Sequence, residues 1–200
     1  LHNRILWLGI YSLALIWSVI NPHDRFTWWL EAMPALIALP LLLLTRNRFP
    51  LTPLAYVLIL LHCSILFVGA HYTYAEVPLF DWLAQVSGGE RNNYDKLGHF
   101  AQGFVPAILA REILLRQEAV KPGAWCAFLV GCFVLALSAF YELIEWWVAL
   151  ASGEGADAFL GTQGYAWDTQ SDMLMALIGA IVALSLLSRR HDSQLRRLKH

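Results

Sequence analysis

Residues 94–103 read Tyr94-Asp95-Lys96-Leu97-Gly98-His99-Phe100-Ala101-Gln102-Gly103, and this stretch decides how the chain is interpreted. Asp95, Lys96, His99 and Gln102 fall within about two helical turns, and the sequence then runs into an apolar segment ending near Leu115. Asp95 and His99 are spaced i, i+4 and share a helix face, with Gln102 beside it. A helix with a polar mouth and an apolar body suggests a membrane span whose mouth meets other polar groups.

The composition supports that setting. The 200 residues are 58% hydrophobic and 14% charged, well below the roughly 25% charged residues of soluble domains. Apolar runs of about 17 to 25 residues can cross the hydrocarbon core as helices. Six candidates occur, at 5–20, 28–44, 51–70, 97–115, 124–150 and 173–187. The expected fold class is therefore all-α: one polytopic transmembrane bundle of about six spans, residues 1–200 forming a single membrane domain. The first run follows Arg4 but lacks a small-x-small cleavage site, so it reads as a retained anchor. Cys63, Cys126 and Cys132 lie inside the runs and imply packing rather than disulfides.

Lys and Arg favour cytoplasmic loops. Assigning alternate loops to alternate sides leaves only Arg25, Arg91 and Lys96 on one face, while the other basic residues collect on the opposite one. Both termini are thus expected in the cytoplasm, with loops 21–27, 71–94 and 151–170 outside. Trp17, Trp28, Trp29, Trp82, Trp146, Trp147 and Trp167 fall near the outer level, as an interfacial belt would. In the second outer loop, Leu79, Phe80, Trp82 and Leu83 suggest a short interfacial helix opened by Pro78.

Most acids also lie on the outer side, a bias that the charge rule for orientation does not explain. Asp95, His99 and Gln102 open the fourth run; Glu142 and Glu145 approach the end of the fifth; Asp168, Gln170 and Asp172 open the sixth; His71 ends the third. Asn93, Asp95, Asp168, Thr169 and Asp172 could be helix caps, and 169–172, TQSD, resembles a capping box. Glu142 and Glu145 cannot be explained that way, because a helix C-terminus disfavours negative charge. They need a cation, a proton or a metal, and Lys96 or Arg91 could neutralise one of them. The mixed nitrogen and oxygen donors suit Zn, Mn or Fe: His71, His99, Glu142 and Asp172 as ligands, Glu145 and Asp168 as proton handlers, and Asp95, Gln102, Gln163 and Gln170 in support. His62, in mid-span, reads as an interhelical hydrogen-bond donor.

The strings GAHYTYAEVPLFDWL, NNYDKLGHFAQGFVPAILAREIL, SAFYELIEWWVALASGEGADAFLGTQG and WDTQSDM resemble the YjdF-like family of bacterial inner-membrane proteins, a domain of unknown function. A looser similarity to VanZ-like membrane proteins rests on DKLGHF and a later pair of Asp residues. The resemblance implies a compact multi-pass protein of the bacterial inner membrane and brings no catalytic residue with it. Three functions are compatible with these residues: a metal-dependent hydrolase or transferase acting on a membrane amphiphile, a proton- or cation-coupled transporter, and a non-catalytic scaffold or lipid-binding protein. Membrane lipids and a small amphiphile or ion are the expected partners; nucleic acid is not.

Overall fold

A computed structural model describes residues 2–152 and 157–198; these residues are helical with short connections, and no strand occurs among them. Helix α1 (His2–Val19) leads through a turn at Asn21, φ 50°, into α2 (Arg25–Thr45). Asp24 caps α2 by accepting from the Thr27 N–H at 2.7 Å. That backbone donor holds the Asp24 carboxyl below its ordinary value. Helix α3 (Pro53–Tyr72) is capped by Thr52 with proline in its first turn, where the missing N–H costs nothing. After a 3-10 turn at Tyr74–Glu76 comes α4 (Pro78–Ser87), closed by Gly88 in the left-handed conformation. The chain continues through α5 (Tyr94–Arg116), α6 (Ala124–Ser152), α7 (Asp157–Leu160) and α8 (Asp168–Leu198).

Each of the expected runs falls on a helix. Of these, α2, α3, α6 and α8 are long and apolar enough to cross a membrane, and α1 is a shorter apolar helix. Helix α5 is more polar because it lies at the centre. It packs on α3, α6 and α8, and buries Asp95, His99, Arg111 and Glu112 along with its apolar residues. A helix screened from lipid by its neighbours does not need lipid-like hydropathy. The short helix expected after Pro78 is present as α4, with Leu79, Trp82, Leu83 and Val86 exposed.

The closest packing is between α5 and α8, and the opening stretch explains it. A Cβ at Gly103 would fall on the Ala176 backbone, and one at Gly179 on the Phe100 carbonyl. Buried Ala107 and Ala110 on α5 face the same interface as Ala176, Ala180 and Ala183 on α8. Small residues at helical spacing let backbones approach where no hydrophobic drive separates protein from lipid. Gly98 serves a second purpose: a Cβ there would lie 2.7 Å from the Tyr74 ring, as would one at Gly69. The ring therefore sits in a notch shared by α3 and α5.

Helix α1 is tied to α2 and α3 by buried hydrogen bonds. Tyr11 donates to the Ala35 carbonyl at 2.9 Å, Ser18 to Phe67 at 2.7 Å, and the Trp28 indole to Ser18 Oγ at 2.8 Å.

At the opposite end of α5, Glu112 is fully buried and fully bonded. Its carboxylate accepts from Thr52 N and Oγ, from Arg116 and from His191 Nε2, at 2.7 to 3.0 Å. His191 Nδ1 in turn accepts from Arg111 at 3.0 Å, which fixes the imidazole as the Nε2–H tautomer. Helix α8 therefore runs well past the apolar run at 173–187, and Gln194 Oε1 accepts from the Leu54 N–H at 2.9 Å.

Candidate functional site

At the other end of α5 the polar groups converge. His99 Nε2 is 3.3 Å from Asp95 Oδ1 and 3.9 Å from Asp172 Oδ1, and His99 Nδ1 is 3.9 Å from Glu142 Oε1. The second contact of His99 Nδ1 is Gln102 Oε1 at 3.0 Å. Asp95, His99 and Asp172 are all buried. Each offers one donor atom, all within 4.8 Å of one another. Bonds of about 2.0 to 2.2 Å in a tetrahedral site put donors about 3.4 Å apart, so the widest pair would draw in by about 1 Å or more to share one ion.

Two permanent cations already serve part of this acid group. Lys96 Nζ donates to Asp168 at 2.6 Å and to Asp172 at 2.7 Å, and Arg91 donates to Asp168 at 2.5 Å. The expected neutralisation of Glu142 or Glu145 by these cations does not occur. Glu142 Oε1 is buried with no hydrogen-bond partner. Asp172 turns to Lys96 instead of closing a capping box, and Asn93 makes no side-chain cap. The acids exceed the nearby cations, and a buried carboxylate without a partner is costly. A proton or a bound cation would remove that cost.

The remaining candidates separate clearly. Glu145 lines a cavity between α2, α3, α5 and α6. Asp168 is locked by Arg91 and Lys96. Gln163 clamps one outer loop on another: its Oε1 accepts from Asn92 N at 2.9 Å and its Nε2 donates to Asn92 O at 2.8 Å. Gln170 is exposed. His71 is not in the cluster; it lies on the Trp17 ring at 4.3 Å between centroids, with Nδ1 3.2 Å from the Ser18 carbonyl.

Asp95, His99 and Gln102 face a cavity of about 590 Å3 bounded by α2, α3, α5 and α6. Its wall on α5 follows Asp95, His99, Gln102, Val105, Leu109, Ile113 and Gln117, the i, i+3 and i+4 pattern of one helix face. That stripe is about 33 Å long at 1.5 Å per residue. On α2 the wall runs from Glu31 through Ala38 to Thr45. One end is rich in carboxylates, imidazole and tyrosine hydroxyls, and most of the remainder is hydrocarbon. His62, expected to bond between helices, lines this cavity as well.

Glu31, Tyr74 and Tyr141 are site residues that motif reading missed. Glu31 is 1% exposed, accepts from the Tyr74 N–H at 3.3 Å, and has no partner for Oε2. An acid within an apolar run is itself a signal. Its place opposite Asp95 required the fold.

These features define a class: an all-helical membrane protein with a buried acid–imidazole cluster at the end of a long, mainly apolar cavity. The chain belongs to the family described as predicted membrane protein (DUF2238), whose profile matches residues 3–193. It is 56% identical over 186 residues to the inner membrane protein YjdF of Escherichia coli (strain K12), covering 93% of this chain and 89% of that relative. These matches carry the YjdF-like resemblance and not the VanZ-like one. No solved structure matches significantly.

Proposed function

We propose that this is a multi-pass protein of the bacterial inner membrane, with about six spans and both termini in the cytoplasm, that works as a metal-dependent hydrolase or transferase on a membrane amphiphile. The observation that carries this reading is that Asp95 and His99, two of the three residues of the cluster with Asp172, open onto a cavity of about membrane length. A hydrocarbon chain would lie along Val105, Leu109 and Ile113, bringing its polar head to the cluster.

In this reading Asp95, His99 and Asp172 hold a Zn, Mn or Fe ion, while Glu142, which faces the other ring nitrogen of His99 at 3.9 Å, is left out of the ligand set. Such an ion would supply an activated water and polarise the head group. Glu145, on the cavity wall, takes up the proton. Asp168 orients Lys96 and Arg91 and does not handle protons itself. His71 has no part in the metal set. Purified protein in neutral detergent, titrated with Mn2+ and followed by the loss of the free-ion paramagnetic signal, should show one site that His99→Ala removes. Absence of binding, with unchanged thermal stability on adding Mn2+ or Zn2+, would overturn the reading.

The partnerless oxygens of Glu31 and Glu142 favour a second reading, a proton or cation path along the same cavity. Ion flux in proteoliposomes that disappears with Glu142→Gln would select it.

A further inference from the structure

The polar end of the cavity has an excess of acids over its one imidazole, His99. Glu31, Asp95 and Glu145 line it, and no Lys or Arg is among its described lining residues. Arg91 and Lys96 donate to Asp168 and Asp172 and reach the lining acid Asp95 only at 3.9 and 3.7 Å, while nothing basic pairs with Glu31 among the described residues. Glu31 comes from α2, outside the Asp95–His99–Asp172 group, and its carboxylate has one oxygen without a partner although the residue is almost wholly buried. The same end carries the rings of Tyr74 and Tyr141. Tyr74 is held in place by the glycines beneath it, Gly69 and Gly98.

Carboxylates beside aromatic rings are the chemistry that recognises an ammonium ion. The carboxylates provide charge-assisted hydrogen bonds, and a cation over a tyrosine face gains more where water is excluded. A phosphate or carboxylate head would meet three acids against one imidazole, His99, which already faces Asp95 at 3.3 Å. We infer that the cavity takes a cationic amphiphile, an ammonium head on a long hydrocarbon chain, and that Glu31 is the residue selecting that head. The inference rests on the amphiphile cavity proposed above and not on the metal.

The test uses the full-length protein in neutral detergent with EDTA present, titrated with tetradecylamine, tetradecanol and tetradecyl phosphate and followed by thermal unfolding. The amine should stabilise the protein at a concentration at least tenfold below that needed for the alcohol, with no stabilisation by the phosphate. Glu31→Gln should raise the concentration of amine required by tenfold or more and leave Mn2+ binding unchanged, because Glu31 is outside the ion cluster. Equal or better stabilisation by the phosphate would overturn the inference, as would an unchanged amine titration in Glu31→Gln. The head-group comparison on the unmodified chain decides the matter even if the variant does not fold. Loss of Mn2+ binding in His99→Ala with amine selectivity intact would separate the metal reading from this one.

Discussion

Lys96 on α5 and Asp172 on α8 are joined by a hydrogen bond of 2.7 Å, and the same ammonium reaches Asp168 at 2.6 Å. Lys96 therefore occupies an oxygen that an ion at the cluster would need. Replacing it by Met should cost about 3 to 5 kcal/mol in metal-free protein, the cost of breaking a buried pair. Added Mn2+ should restore much of that stability and bind about tenfold more tightly than to the unmodified chain. Thermal unfolding with and without Mn2+ measures both. If the ion restores nothing, the cluster is an ion-pair network and holds no metal.

Gly103→Leu should prevent α5 and α8 from closing, because the new Cβ meets the Ala176 backbone, which cannot rotate away as a side chain can. Overpacking of this kind costs about 3 kcal/mol or more, and the expected result is aggregated or unfolded protein by size-exclusion chromatography. Gly131→Ala is the control, since nothing lies within 4 Å of the added atom, and it should unfold like the parent.

The Glu112 network should behave as structure alone. Glu112→Ala removes the acceptor of Thr52, Arg116 and His191, and a loss of about 3 to 5 kcal/mol is expected from the uncompensated partners. Glu112 is about 26 Å along α5 from Asp95, so Mn2+ affinity should stay within twofold of the parent in whatever fraction folds. A large change in affinity would mean that the two ends of α5 are coupled.

Topology can be tested by single cysteines in a background lacking Cys63, Cys126 and Cys132. A cysteine at Gly89 or Gly161 should react with a membrane-impermeant maleimide in intact spheroplasts, and one at Arg46 or Arg190 only after lysis. The reverse pattern would invert the proposed orientation and place the cluster on the cytoplasmic side.

Much of the architecture was legible in the residues alone. Runs of apolar side chains are long because the hydrocarbon layer is thick, so span positions follow from local composition. The polar mouth of α5 and the i, i+4 pairing of Asp95 with His99 follow from helical period. The short α4 follows from Pro78 and the helical spacing of Leu79, Trp82, Leu83 and Val86 after it, which depend on no distant residue. Helix spacing could not reveal which groups meet across helices. Asp172 joins His99 and Lys96, while His71, at a comparable level, turns to Trp17 and Ser18. Glu31 becomes part of the site only because α2 stands across the cavity from α5. The covalent chain sets the height of each side chain along its helix; the direction in which it points, and hence its electrostatic neighbours, is set by how the glycine and alanine faces of α5 and α8 lock the bundle.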